Sequence, residues 1–334
     1  MHKILTIVVP SYNTEKYMDE CLPTILNAQS IDDLEVLLIN DGSKDHTAEK
    51  ALKYQEESPN SVRLISKENG GHGSVINRGI EEASGKYFKV IDGDDWVKTD
   101  GLDRLVSELK ECDADLITNP KYVHDLRSGK ETLSDVTSDT SLFGKKLKFE
   151  DVCNKLNGLF IHNITYKTAI LRDNGVKVQE HCFYEDKEYD IYPLPYIQTI
   201  KFLDFPVYVY RVGSGSQSIS KESLMKNKDM HYRILSNLIA YYSNLGIVGD
   251  KTRSFIKKSV DQMMISNYGL FYRQDYSNAA RCMLKDFDKT LKKDFPEYYQ
   301  NTSGKLVKLL RNTSWPVYTA VYLMYKRKRE KRGF

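Results

Sequence analysis

The stretch Tyr87-Phe88-Lys89-Val90-Ile91-Asp92-Gly93-Asp94-Asp95-Trp96 sets a mainly apolar run of strand length directly against three carboxylates. A buried strand needs no charge at its end. Three carboxylates within four residues repel one another unless a cation sits among them. A hard divalent ion takes one or two such groups and completes its shell with phosphate oxygens from a substrate. An ordinary acidic turn, with Asp95 capping the next helix, accounts for one acid and leaves two unexplained. The segment therefore reads as a buried strand followed by a turn that binds metal and phosphate.

Working outward, further apolar runs at 4–9, 34–39, 62–65 and 115–118 alternate with helical patterns near 15–28, 45–57, 74–83 and 101–111. This alternation predicts an α/β fold: a mostly parallel sheet flanked by helices, Rossmann-like in its windings. Right-handed crossovers bring the strand C-termini to one edge, where ligands bind in open α/β sheets. Thr14 and Asp45 are placed to cap the helices that follow them. Residues 122–147 are polar and weakly periodic, and are expected to be loop. Beyond 150 the pattern predicts a helix at 149–158, a strand at 161–166, a helix from Tyr184 to before Pro193 and a strand at Phe205–Tyr210. From Lys221 onward it predicts helices only, in three or four segments. The expected division is 1–215 for the α/β domain and 216–334 for a mainly helical region.

Composition narrows the class. A 40% hydrophobic share with 28% charged residues suits a globular chain, and 334 residues suffice for one large domain and a smaller one. The five cysteines, Cys21, Cys112, Cys153, Cys182 and Cys282, form no C-x-x-C. That argues against a zinc site or a disulfide framework and suits a reducing cytoplasm. Residues 4–9 follow the initiator without a basic segment or a cleavage site, so no signal peptide is expected. Residues 326–334 carry six basic side chains against Glu330, so the net +3 of the chain belongs wholly to this tail. The apolar, aromatic run Trp315–Tyr325 leads into it. The pair reads equally as a helix lying on an anionic membrane surface and as a core helix with a solvated end. The expected location is the cytoplasm, with peripheral attachment to the inner face of the cell membrane open through the tail. Nucleic acid is not an expected partner, because no basic face exists elsewhere. Self-association is left open.

Five other segments hold candidate chemistry. Pro10-Ser11-Tyr12-Asn13 closes the first strand, where Tyr12 could lie flat against a base; an ordinary strand-to-helix turn looks the same. Asn40-Asp41-Gly42-Ser43 closes the second, where Asp41 could accept hydrogen bonds from a uracil or ribose; it is also common turn chemistry. Asn69-Gly70-Gly71-His72-Gly73-Ser74 opens a helix, and its glycines and free N–H groups suit a phosphate. It follows the third strand, and Ile76 stands where the dinucleotide fingerprint needs glycine, so a dinucleotide oxidoreductase is poorly supported. His72 could contact a diphosphate or merely serve the turn. Far along, Tyr184-Glu185-Asp186-Lys187-Glu188-Tyr189 opens a helix with acids that either cap it or supply a base. Finally, Arg211 precedes Gly213-Ser214-Gly215-Ser216-Gln217-Ser218, which reads as a phosphate-binding lid or as a linker.

In this order, the segments Ile7-Val8-Val9-Pro10-Ser11-Tyr12-Asn13, Asn40-Asp41-Gly42-Ser43, Asn69-Gly70-Gly71, Asn77 with Gly79, Gly85, Asp92-Gly93-Asp94-Asp95-Trp96 and Glu185-Asp186 resemble the family 2 glycosyltransferases of GT-A fold, especially bacterial enzymes of cell-surface glycan synthesis. The resemblance spans roughly the first two-thirds of the chain. It implies an inverting transfer from a UDP-sugar, with Mn²⁺ or Mg²⁺, to a hydroxyl of a glycan or lipid-linked acceptor. Pro10, Tyr12 and Asp41 would hold the uridine, and Asn13, Asn69 and Gly70 would be among the residues that bind the donor. Asp92 would contact the nucleotide sugar and Asp94 would ligate the metal. Asp186 would be the catalytic base with Glu185 near the sugar, and Arg211 and Ser216 would approach the diphosphate. His72 after the double glycine and Gly93 between the aspartates depart from the commonest form. Two rivals are a sugar-phosphate nucleotidylyltransferase, whose Gly/Arg-rich loop residues 8–16 lack, and a non-catalytic binding subunit, which would not need Asp92, Asp94 and Asp186 together.

Overall fold

The computed structural model describes residues 3–213, 223, 226–272, 278–302, 304–312 and 318–330. The chain divides into two compact units, Met1–Gln217 with Gly249–Thr252, and Ser218–Val248 with Arg253–Phe334.

The first unit is built on β1 (Leu5–Ser11), β2 (Leu34–Asp41), β3 (Val62–Lys67) and β4 (Tyr87–Val90), all parallel, in the order β3-β2-β1-β4. Every residue of β1 and β4 is buried, which is why these strands read as continuous apolar runs rather than as alternating ones. α1 (Glu15–Leu26), α2 (Thr47–Glu57) and α3 (His72–Glu82) make the crossovers. Met18, Cys21, Leu22 and Ile25 of α1 bury against Leu5, Ile7 and Val9 in one core. Asp45 caps as its position implied, accepting the N–H of Thr47 at 3.1 Å. Thr14 does not cap α1 with its side chain.

Past β4 the parallel pattern breaks. After β5 (Trp96–Val97) and α4 (Thr99–Glu111) comes β6 (Leu116–Thr118), which does not join β4 directly. β10 (Ile164–Lys167) lies between them, antiparallel to both. β11 (Thr199–Phe202) and β9 (Lys146–Lys148) complete eight strands. A second sheet, ordered β5-β12-β7-β8, contains β7 (Lys121–Asp125), β8 (Lys130–Ser134) and β12 (Tyr208–Val212). Thus the expected loop at 122–147 is largely a hairpin and a strand. β8 is exposed along its whole length, so no apolar periodicity marks it. The helix expected at 149–158 is a single turn, α5 (Phe149–Val152), continuing as 3₁₀ to Lys155. α6 (Thr168–Asp173) and α7 (Asp186–Ile191) are equally short.

Among its described residues the second unit has helices as its only regular elements, in more pieces than expected: Lys228–Ser243, Asp250–Tyr272 from its fourth residue, Asn278–Asp294, Pro296–Gln300, Lys305–Asn312 and Tyr318–Glu330. Pro296 starts a new helix because it cannot continue the old one. Its tyrosines serve the core: Tyr298 donates to Asp261, Tyr268 to Asp288, and Arg311 binds Asp288 at 2.8 Å.

Candidate active site

The C-terminal ends of β1, β2, β3 and β4 place Ser11, Asp41, Lys67 and Asp92 at one edge of the sheet. Two separate polar clusters form there.

The first surrounds Asp41, which is 2% exposed. One carboxylate oxygen accepts from Lys67 Nζ at 2.7 Å and from Gly70 N–H at 2.9 Å; the other accepts from Gly71 N–H at 2.8 Å and from Asn69 Nδ2 at 3.1 Å. Ser74 Oγ lies 3.3 Å from the first oxygen. The glycine loop does hold an anion, but the anion is the protein's own side chain. Gly71 sits at φ +83°, a conformation that lets successive N–H groups converge on Asp41 at little cost in glycine. Asp41, Asn69 and Gly70, the residues expected near the nucleotide, are thus bonded to one another and shape the turn. Asn13, at φ +53°, is likewise structural: its N–H meets Ser43 Oγ at 3.1 Å and its Oδ1 accepts from Lys44 N–H at 2.9 Å. Pro10 is buried beneath Gly93, whose missing Cβ would lie 2.6 Å from the Pro10 carbonyl. Tyr12, 47% exposed just past β1, offers a ring on which a base could stack, and Asn13 and Asn69 are exposed as well.

The second cluster surrounds the 92–95 turn. Asp92 accepts from His72 Nε2 at 2.8 Å, and the other ring nitrogen of His72 meets Glu185 Oε1 at 2.7 Å. His72 therefore bridges the acidic turn and the residue before the expected base. Burial works against charge on His72, but its two carboxylate partners outweigh this and raise its pKa well above 6.5. For Asp92, burial is overcome by the hydrogen bond and charge of His72, and its pKa falls to about 2. The remaining acids go the other way. Burial and the charge of Asp92 push Asp94 up, and burial with Asp92 and Asp94 raises Asp95 well above the usual range. Burial likewise raises Glu185 against the pull of His72, and Glu185 Oε2 has no hydrogen-bond partner.

Asp95 is fixed by the Tyr208 hydroxyl at 2.6 Å and the Arg211 N–H at 2.7 Å. The Tyr208 oxygen also accepts from Asp92 N–H at 3.1 Å. Arg211 is 6% exposed, and its guanidinium binds the Asp94 carbonyl at 2.6 Å and Glu20 at 2.5 Å over the ring of Trp96. Arg211, expected near the diphosphate, braces the acidic turn. Ser216 lies outside the described residues.

His162 and Lys121 join the site without having been singled out in the sequence. His162 Nε2 lies 3.7 Å from Asp92, and its Nδ1 accepts from Lys121 Nζ at 3.0 Å. Burial and the Lys121 charge lower its pKa well below 6.5, so its ring is neutral. With Nδ1 accepting from Lys121, Nε2 carries the proton toward Asp92, and ligation there would need the other tautomer. Burial lowers Lys121 itself to about 8. Neither residue sits in a motif: one lies in a 3₁₀ turn and the other begins a strand. The fold alone brings them together, and their only sequence signal is polar character within otherwise buried segments.

The donor set suits a divalent cation. One oxygen each of Asp92 and Asp95 and a ring nitrogen of His162 lie within 4.8 Å of one another. Burial first, and then the neighbouring carboxylate charges, raise Asp94 and Asp95, and a hard cation would relieve the repulsion. Asp95, however, already holds Tyr208 and Arg211 with both its oxygens. Asp186 begins α7 beside Glu185, and its carboxylate accepts the next backbone N–H, Lys187, at 3.0 Å. Asn77 of α3 holds the approach to this helix, pairing with Val178 through both N–H and C=O at 2.9 Å. α3 thus holds the segment that leads into α7, at Val178 through Asn77 and at Glu185 through His72.

A metal-suited acidic turn at the strand edge of a mixed α/β sheet, tied to acids at the start of a distant helix, defines an enzyme of the GT-A type. The model of Glycosyl transferase family 2 matches residues 6–174, and the chain belongs to that family. The chain is 26% identical over 256 residues to the uncharacterized glycosyltransferase EpsJ of Bacillus subtilis, covering 75% of this chain and 72% of that protein. It is 29% identical over 227 residues to the glycosyltransferase GlyG of Streptococcus pneumoniae, covering 65% and 73%. Among solved structures, S. aureus TarS 1-349 in complex with UDP-GlcNAc superposes with a TM-score of 0.71 at 17% identity, covering 97% of this chain and 92% of that one. The fold is therefore GT-A and the protein is a glycosyltransferase.

Proposed function

We propose that this glycosyltransferase moves a sugar from a UDP-sugar, with inversion and with Mn²⁺ or Mg²⁺, to a hydroxyl of a glycan or lipid-linked acceptor in the synthesis of a cell-surface polysaccharide, teichoic acid or glycoprotein glycan. The observation that carries this reading is the His72 bridge, which ties Glu185, next to Asp186, to the Asp92 turn at hydrogen-bond distance. Asp186 takes the proton of the acceptor hydroxyl as its oxygen bonds to the anomeric carbon. The bond from that carbon to UDP breaks on the opposite face, and UDP leaves with the electron pair. Asp94, supported by Asp92, would hold the cation, because Asp95 is committed to Tyr208 and Arg211. When bound, the cation neutralises charge developing on the diphosphate. Tyr12 offers its exposed ring to uracil. The UDP preference is supported by the UDP-GlcNAc held by TarS, and the teichoic acid setting by the 25% identity to GgaB of Bacillus subtilis, a minor teichoic acid biosynthesis protein.

The test is UDP release from a panel of UDP-sugars with Mn²⁺. Asp186→Asn should lower turnover by about 10²–10⁴-fold while UDP affinity holds; wild-type turnover in that variant would remove Asp186 as the base. No release with any donor would favour a binding subunit instead. Among the described residues no helix is long and apolar enough to cross a membrane. The helix Tyr318–Glu330 leading into the basic tail supports peripheral attachment to an anionic leaflet. Deleting 326–334 should reduce sedimentation with anionic liposomes, and unchanged binding would end that part of the proposal.

A further inference from the structure

Beside the proposed base lies a group of side chains that the transfer chemistry leaves without a task. Phe160 is 40% exposed, though an aromatic ring is costly to leave in water. Two ammonium groups border its ring, Lys121 Nζ at 5.0 Å and Lys187 Nζ at 4.5 Å from the centroid. Lys121 Nζ also lies 5.2 Å from the ring of Tyr210, which in turn packs on His162 at 4.3 Å. Lys187 has a carboxylate partner, Asp190 at 2.7 Å. Lys121 is 93% buried, and among the described residues no carboxylate stands within 4 Å of its ammonium; its contact is the neutral His162 ring. Asp190, Asp95 and Asp186 act on it only through space, against the like charge of Lys187.

A buried ammonium without a counter-charge is expensive, and proteins retain one where an anion arrives to complete it. A half-exposed ring beside it supplies the flat apolar surface that a sugar face covers. We propose that Phe160, Tyr210, Lys121 and Lys187 form a subsite for a sugar that carries a carboxylate or a phosphate group. The ring lies on the aromatic surface and the anion meets the two lysines. Lysine, a compact charge on a flexible stem, serves either anion without demanding a planar fork. The position next to Asp186 places that sugar at the point of transfer, so the inference rests on the proposed function. The anionic sugar is either the unit transferred or the unit that receives it.

Two binding measurements separate these sources. In one, glucose, glucuronate and glucose 6-phosphate are titrated as free sugars, with and without UDP and Mg²⁺, and followed by ligand-observed NMR. In the other, UDP-glucose and UDP-glucuronate are compared by calorimetry. The anionic sugar should bind about tenfold more tightly than the neutral one in at least one arm, the scale of one charge-assisted hydrogen bond. Preference among the free sugars assigns the subsite to the acceptor; preference confined to the UDP-sugars assigns it to the donor. Lys121→Met should erase the preference of the anionic over the neutral sugar. Equal binding of neutral and anionic sugars by the wild type in both arms overturns the inference, as does a full preference surviving in a folded Lys121→Met. The wild-type arms decide the matter even if that variant does not fold. Failure to bind UDP would count against the proposed function instead, and the free-sugar arm without UDP stays readable.

Discussion

Asp41 and the Asp92–Asp95 turn stand at equivalent places, each at the C-terminal end of a parallel strand, yet the protein treats their charges in opposite ways. Around Asp41 it supplies an ammonium, two backbone N–H groups and an amide, leaving the carboxylate satisfied within the protein. Around Asp92–Asp95 it buries carboxylates side by side, and burial first, with their mutual charge second, pushes Asp94 and Asp95 upward. A carboxylate at a ligand-binding edge is therefore not yet a ligand-binding group. What decides is whether the fold brings enough donors to neutralise it. The first turn is finished within the protein, whereas the second needs something from outside.

The largest expected effect follows from removing the group on which the outside partner would act. Asp94→Ala should cost about 10²–10³-fold in turnover with Mn²⁺, the scale seen when one charge-stabilising contact is lost. In metal-free buffer its Tm should equal or exceed that of the wild type, because the substitution removes a repelled carboxylate. Thermal denaturation alongside a UDP-release assay measures both. A clear fall in metal-free Tm would make Asp94 as structural as Asp41, and the distinction between the two turns would collapse.

Asp41→Ala should show the converse. It strands Lys67 and the N–H groups of Gly70 and Gly71, so a loss of about 3 kcal/mol is expected, moderated by the partial exposure of Lys67. For a unit of this size that lowers Tm by roughly 6–12 °C. Activity at low temperature should fall only as far as the 69–71 loop is displaced. An unchanged Tm with lost UDP affinity would return Asp41 to the nucleotide and reverse its assignment.

The parallel half of the fold is legible in the sequence because its signal is local. β1 and β4 are buried along their entire lengths, and each is followed by a polar turn. The middle of the chain is not legible for the opposite reason. β8 is exposed throughout, β6 has three residues, and β10 enters antiparallel between strands far from it in sequence. The site divides along the same line. Asp92, Asp94, Asp95, Glu185 and Asp186 lie in short acidic runs and could be picked out. His162, Lys121 and Tyr208 could not, since only long-range strand pairing brings them to the turn. His72 lay between: the sequence marked it as unusual, and the fold gave it two carboxylates.

Tyr208 offers the finest test of how the acidic turn is held. Its hydroxyl gives its one proton to Asp95, the shorter contact at 2.6 Å, and accepts the N–H of Asp92 at 3.1 Å, so one oxygen spans the turn. Tyr208→Phe keeps the ring and its packing on His162, centroids 4.9 Å apart, and deletes only that oxygen. Asp95 retains the Arg211 N–H and Asp92 retains His72. The stability cost should therefore be modest, about 1–2 kcal/mol. Because Asp92 and Asp95 flank Asp94, the loosened turn should weaken Mn²⁺ dependence more than it weakens binding of UDP without metal. A Mn²⁺ titration of turnover in the two proteins would read this directly. An identical Mn²⁺ requirement would mean that Arg211 and His72 alone hold the turn in shape, and that the hydroxyl serves only to satisfy a buried acid.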